Sequence, residues 1–450
     1  MSDAIDIAAP PRPQLKTRDL AIIFGVSMAT AMGNTGLQSV LPTIGRRIGI
    51  PDPMVSAIFS LSALLWAASS PFWARQSDER GRKPLMLVGL SGFAVSMTLC
   101  GLVVGAGLRH LAAPMVIFGL FLVSRAIFGL FGAASNPATQ AFVAERTAPE
   151  DRTQSMSTLA GAFSLGTVIG PVVAPLFIIG VLDYAGPLFS FAAIAAVMLL
   201  VVVRYLKEDK PAARAVADPE DVEVLAPGEK PRPLWRDPRL IPFLAYGFLV
   251  ATCQTAQGQT LGFLIIDKVH RLLPQLGEGD LLKIAQGYIE VAMVAGAIAG
   301  LLAQWGLIRM FRMTPKQLLR WGAGLAALGN VLVAAAPDFP LAVVGYALSS
   351  LGFSFARPGF TAGASLSVPM KDQARAAGAI AAVNGVNVVL APLAVKLYHY
   401  SGPAPFLLNA AVLSGLLAFA FFNPLLRTVG ATPSSDEDAL AATLERSDEG

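Results

Sequence analysis

Twelve apolar stretches, each about the length that a helix needs to cross a bilayer, constrain this chain more than any other feature. Read against the polar breaks between them, they run over 20–44, 53–74, 84–107, 113–144, 154–181, 186–206, 240–266, 281–308, 316–336, 339–364, 374–398 and 403–426. About 20 mostly apolar residues span a hydrocarbon core as a helix, and the stretches lack the alternation of barrel strands. Composition agrees, with a mean hydropathy of +0.60 and 14% charged residues, against about a quarter in soluble chains. The expected fold is an all-α membrane protein. The first nineteen residues are polar and proline-bearing, and the apolar stretch after them is too long for a signal-peptide core, so it counts as a span.

An even number of spans puts both termini on one side. With the N-terminus in the cytoplasm, 25 of the 34 Lys and Arg residues fall on the cytoplasmic side and 7 on the other, while Arg125 and Arg357 lie deeper. That bias sets the orientation. The longest connection, 207–239, is rich in Pro, Ala and charge and reads as a flexible linker between six spans and six. Beyond 427 the chain is an acidic tail. Expected boundaries are therefore a 1–19 cytoplasmic tail, a 20–206 bundle, a 207–239 linker, a 240–426 bundle and a 427–450 tail. The net charge of +4 has no basic stripe, so nucleic acid is not an expected partner. Cys100 and Cys253 are isolated within apolar runs, and His110, His270 and His399 fall at the outer connections. No metal site, cofactor or nucleophile–base pair is legible, and no enzymatic activity is expected.

The halves echo one another. At a constant offset of 221, Pro137 meets Pro358, Asp151 meets Asp372 and Pro171 meets Pro392. Two matched six-helix halves with a site at mid-membrane between them are a transporter plan.

Three motifs sharpen this. "ARQSDERGRKPLML", Ala74 to Leu87, sets five of its six charges within three residues of Gly81, between long apolar runs. "RAIFGLFGAASNP" begins at Arg125, and "GTVIGPVVAP" at Gly166. Together with twelve spans and a central linker, these resemble the major facilitator superfamily over nearly the whole chain. The charged patch resembles its loop signature through Asp78, Gly81, Arg82 and Lys83, with Ala74 in place of the first glycine and Glu79 where a basic residue is usual. The segment from Gly166 is similar to the Gly-x-x-x-Gly-Pro signature of proton-driven drug antiporters. Ala174 and Pro175 depart from its closing glycine pair.

The resemblance implies an inner gate at the patch. Asp78 would face the amino-terminal end of helix eleven, where the dipole favours an anion, and Arg82 would pair with Glu145 at the cytoplasmic end of helix four. Arg80 and Lys83 read as topology anchors. Gly166 and Gly170 allow helix backbones to approach closely, and Pro171 loosens the helix ladder. These three suit a bend or a tight contact between the halves, or plain packing.

Charge inside a span marks function by default. Taking about 1.5 Å per residue, Arg125 and Glu290 each lie roughly 15 Å below the outer surface, and Arg357 nearer the cytoplasm. Glu290 with Arg125 is the proton-coupling candidate, since a carboxylate can load and release a proton. Many proton-coupled relatives carry an acid in the first helix; here Asn34 stands at that depth, able to hydrogen-bond Arg125 or a substrate. Gln254 and Gln257, three apart on helix seven, are expected on one face and are substrate candidates, with inter-helix bonding as the alternative. Gln259 points elsewhere. Arg357 is a further candidate, as is Asn384, which has Asn387 three residues on.

The expectation is a monomeric secondary transporter in the inner membrane of a bacterium, its partners being the lipid bilayer, protons and a small-molecule substrate. The favoured direction is export of an amphipathic compound by antiport. Uptake of an organic acid or sugar by symport, and a transporter-like sensor, are the alternatives.

Overall fold

The computed structural model describes residues 15–147, 149–207, 237–368, 376, 379–380, 383 and 387–428. Most of both expected tails, nearly all of the linker, Asn384 and most of the first half of the eleventh span lie outside them. Helix is the dominant structure among the described residues, with one isolated bridge between Ile179 and Asp183. The first half holds α1 (Thr17–Ile48), α2 (Asp52–Arg80), α3 (Arg82–Leu108), α4 (Pro114–Phe131), α5 (Ser135–Arg146), α6 (Pro149–Val173) and α7 (Gly186–Tyr205). The second holds α8 (Ile241–Leu272), α9 (Glu278–Leu301), α10 (Ile308–Met310), α11 (Pro315–Ala335), α12 (Phe339–Leu366), α13 (Ala391–Tyr400), α14 (Ala404–Phe422) and α15 (Pro424–Thr428).

A 3-10 turn, Gly132–Ala134, joins α4 to α5 into one span, and a π turn, Leu302–Leu307, joins α9 to α10 into another. Nine spans among the described residues are long and apolar enough to cross a membrane on composition alone. α8 is long enough but more polar through its three glutamines, and Gly161–Phe177, which takes in the end of α6, is apolar but shorter among the described residues. The pattern is consistent with twelve spans in two bundles.

Local chemistry starts and stops these helices. Thr314 and Gln317 form a capping box at the head of α11, Gln317 Oε1 accepting from the Thr314 N–H at 2.9 Å. Asp338 accepts from the Leu341 N–H at 3.0 Å ahead of α12. Gly49, at φ 85°, ends α1 by donating to the carbonyls of Arg46 and Gly45.

The charged patch is not a loop. α2 runs on through Arg80, Gly81 alone breaks the helix at φ 95° and ψ 166°, and α3 begins at Arg82. Hydropathy falls where a helix leaves the bilayer, which need not be where the helix ends. That backbone geometry is open essentially to glycine only.

One apolar core lies mainly in the first half and reaches Phe263, Val395 and Phe406 of the second, and another lies within the second half. The first centres on Phe93, Phe121 and Phe191, the second on Phe243, Phe353 and Phe360 with a satellite around Leu281 and Ile289. Bulky side chains left exposed, such as Val123, Leu200 and Leu393, lie on the outward faces of spans, as helices in lipid require. Between the halves, α1 meets α8 and α9, α2 meets α13, and α6 meets α9.

Gly166 and Gly170 serve a contact inside the first bundle, not one between the halves. A Cβ on Gly166 would lie 2.4 Å from the Met28 carbonyl oxygen, and one on Gly170 would lie 2.3 Å from that of Met32. The α6 and α1 backbones therefore touch, with Pro171 buried beside them within α6. Plain packing, the expected alternative, describes what these residues do here.

Candidate functional site

Arg125 is buried in α4, 2% exposed. Its guanidinium lies over the rings of Phe59 and Phe128, at 5.5 and 4.7 Å from their centroids. Nη2 donates to Asn34 Oδ1 at 2.8 Å, a contact expected from their matching depth. Nε and Nη1 have no acceptor among the described residues. Among the described contacts Arg125 and Glu290 form no ion pair or hydrogen bond with each other. Glu290, half-buried on α9, accepts from Gln286 Nε2 at 2.7 Å. Gln286 reaches across to α1, accepting from Thr43 Oγ1 at 2.7 Å and donating to the Ser39 carbonyl at 3.2 Å. Similar depth in the membrane does not bring two side chains onto facing helix surfaces. α9 turns its carboxylate toward the outer part of α1, while α4 turns its arginine toward Asn34.

Gln254 and Gln257 part company. Gln257 is buried among the helices of the second bundle, donating to Ser349 Oγ at 2.5 Å and accepting from Asn330 Nδ2 at 3.3 Å. Asn409 continues the network, bonding Asn330 Oδ1 at 3.3 Å and the Cys253 carbonyl at 3.0 Å. These bonds take up the Gln257 amide, so its expected place in a substrate cavity is corrected to inter-helix bonding. Gln254 is half-buried and lies one turn before Gly258, which faces Gln38 of α1; helical spacing puts it on the face toward the first bundle. Arg357 is exposed on α12, and shares a helix face with Ser350 and Ser354, which pack toward α9. Asn387 is buried, accepting from Thr255 at 3.4 Å.

At the predicted cytoplasmic end, Arg82 donates to Glu145 Oε1 from Nε at 3.0 Å and from Nη2 at 2.5 Å. Its Nη1 donates to Ser77 Oγ at 2.9 Å. The pair ties the head of α3 to the end of α5 and the end of α2, all within the first bundle. The Asp78 side chain and the helix-eleven end it was matched to lie outside the described residues. Lys83 donates to the Val203 carbonyl at 3.0 Å.

Two matched helical halves, with an arginine-bearing fourth span and a glycine-broken charged connection, accompany a family match. The profile described as Major Facilitator Superfamily covers residues 23–392. The chain belongs to this superfamily. It is 31% identical over 155 residues to the class D tetracycline resistance protein of Salmonella ordonez, covering 34% of this chain and 36% of that one. To the class C tetracycline resistance protein of Escherichia coli it is 24% identical over 396 residues, covering 84% and 88%. A solved structure of a POT family transporter in complex with 5-aminolevulinic acid matches with a TM-score of 0.68, covering 92% of this chain and 98% of that one at 14% identity. At that identity the likeness speaks for the fold.

This superfamily member also carries a cluster that the sequence motifs do not flag, at the predicted outer end. Arg46, near the end of α1, grips Asp52 with Nε at 2.7 Å and Nη2 at 2.5 Å. Its Nη1 donates to Asp267 Oδ1 of α8 at 2.8 Å. Tyr398 of α13 donates to Asp267 Oδ2 at 2.5 Å, and His399 Nε2 lies 3.2 Å from Asp52 Oδ2. Alongside, Arg47 pairs with Asp183 at 2.8 Å and lies over Tyr184. Burial pushes the Tyr184 phenol up to about 12, so it packs there as a neutral ring. The sequence does hold a signal for the cluster, because Arg46 and Asp267 stand 221 residues apart, the repeat offset.

Proposed function

We propose that this protein is a secondary active transporter that works by alternating access and exports a small amphipathic compound in exchange for protons. Membership of the superfamily supports transport, and the tetracycline resistance proteins among its relatives support export. In this reading 20–206 and 240–426 are the moving bundles and 207–239 is their linker. The 1–19 and 427–450 tails lie in the cytoplasm, and a monomer sits in the inner membrane of a bacterium. Asp78, Gly81, Arg82 and Glu145 form the inner gate. Asn34, Gln254, Arg357 and Asn384 remain candidates for substrate contact.

The observation that carries proton coupling is the chain from Glu290 through Gln286 to Ser39 and Thr43. It links an intramembrane carboxylate of one bundle to a helix of the other by hydrogen bonds of 2.7 to 3.2 Å. A change in the charge of Glu290 alters what Gln286 must satisfy, and so bears on the contact between the bundles. The test is transport in everted vesicles with an acidified lumen, using tetracycline as the first probe. Gradient-driven accumulation in the lumen that is lost in Glu290→Gln supports the reading, and accumulation that follows the gradient equally in the mutant refutes Glu290 as the coupling group.

A second reading, symport of an organic acid, draws on the two guanidinium donors of Arg125 that lack acceptors among the described residues. In the same vesicles it predicts the opposite sign, since an acid lumen would drive such a substrate out.

A further inference from the structure

We propose that Arg46, Asp52, Asp267, Tyr398 and His399 form a make-and-break latch that closes the outer end between the bundles, with Arg46–Asp267 as its central bond. This rests on the alternating-access reading and assigns residues to a gate at the end opposite the charged patch.

The repeat places the central bond. Arg46 and Asp267 are separated by 221 residues, the offset that pairs Pro137 with Pro358 and Pro171 with Pro392. α1 and α8 are thus the equivalent first helices of the two halves. Where segments related by a two-fold meet, equivalent positions face each other near the axis. The same crossing recurs one turn deeper: a Cβ on Gly262, equivalent to Leu41, would sit 2.6 Å from the ring of Pro42. Identical charges at an axial position would repel. Here one half supplies a cation and the other an anion, 2.8 Å apart.

The partners are divided so that the latch can open without stranding a charge. When the bundles separate, Arg46 keeps Asp52, a neighbour in its own bundle that is 2% exposed and held through two nitrogens. Asp267 keeps the Tyr398 hydroxyl, which belongs to its own bundle. Within this cluster the Arg46–Asp267 bond and the His399–Asp52 contact cross the divide, with the Arg46 guanidinium also over the Phe263 ring at 5.7 Å. A buried charge left alone would make opening prohibitive, whereas a crossing pair at about a third exposure shifts a two-state balance by up to about fivefold. A bridge meant only to stabilise would not need a second partner ready on each side.

The test uses purified protein in lipid nanodiscs with spin labels on cysteines at Leu111 and Leu272. These are exposed positions at the outer ends of the first and second halves; Cys100 and Cys253 are buried. Distance distributions are compared for the parent, Asp267→Asn, Arg46→Gln and the double variant. The latch predicts that Asp267→Asn raises the long-distance population several-fold and that the double variant is no more open than Arg46→Gln alone, because without Arg46 the Asp267 side chain has no ion pair across the divide left to lose. Tyr398→Phe, which deletes the one partner Asp267 keeps in the open state, serves if a charge variant fails to fold; it leaves the Asp267 carboxylate alone on opening and so lowers the same population. Unchanged distributions in the folded variants, or fully additive effects, overturn the proposal. No flux or proton gradient enters this measurement, so a failure of proton-linked export leaves its outcome legible.

Discussion

Replacing Gly170 by Ala adds one methyl group where α6 and α1 have no room for it. The added Cβ would stand 2.3 Å from the Met32 carbonyl oxygen, 2.3 Å from Thr35 Oγ1 and 2.8 Å from the Gly36 nitrogen. Two of those three atoms are backbone, so no rotamer change relieves the clash and the helices must part. Overpacking of this kind costs about 1–3 kcal/mol, which outweighs the roughly 1 kcal/mol that alanine gains over glycine within a helix. At about 2–4 °C per kcal/mol for a body of this size, the apparent melting temperature falls by up to about 8 °C. Gly161, on the same helix, supplies the control, because a Cβ there meets nothing nearer than Trp305 at 3.5 Å. Gly161→Ala should leave the melt unchanged or raise it slightly. A thiol-reactive dye makes the assay direct, since Cys100 and Cys253 are both buried and react as the fold opens. If Gly170→Ala melts no lower than Gly161→Ala, the backbone contact between α1 and α6 is not what those glycines provide.

Other perturbations follow from the same geometry. Asn34→Asp places a carboxylate against the Arg125 guanidinium at the 2.8 Å contact now made by an amide; a charge-assisted bond should raise the melt by several degrees, and a lower melt would contradict the placement of Arg125. Gln257→Leu strips partners from Ser349 and Asn330 and should destabilise by about 1–3 kcal/mol, while Gln254→Leu changes stability little; ligand-free melts of the two variants separate the roles. Gly81→Ala forces a side chain into backbone at φ 95° and ψ 166° and should cost about 1–3 kcal/mol, visible as a melt below that of Arg80→Ala.

Much of the architecture is legible in the sequence alone. The spans emerge from hydropathy because lipid demands apolar helices of fixed length, and observed ends differ from expected ones mainly where polar residues extend a helix beyond the bilayer, as at Ala74 to Arg80. The Asn34–Arg125 and Arg82–Glu145 contacts are accessible from depth and from motif placement. The mismatch between Arg125 and Glu290 is not, since depth fixes height along the membrane normal and leaves rotation about each helix open. Gln254 and Gln257 fail as a pair for a related reason: a three-residue spacing leaves about 60° between side chains, enough to put one at the bundle divide and the other in the bundle core. The outer cluster escapes because Arg46, Asp52 and Asp267 each read as an ordinary charge at a helix end. Only when the 221 offset is applied to charged residues as well as prolines does the pair stand out.

The central claim, that one path is open alternately to the two sides, is tested most directly by distances at both ends of the same protein. Label pairs at Leu111 and Leu272 report the outer end, and pairs at Glu79 and Met310 the cytoplasmic end, all exposed positions. The account predicts anticorrelation: breaking the outer latch with Asp267→Asn lengthens the first distance and shortens the second. Ends that lengthen together, or an outer end that opens while the inner one stays fixed, would contradict it.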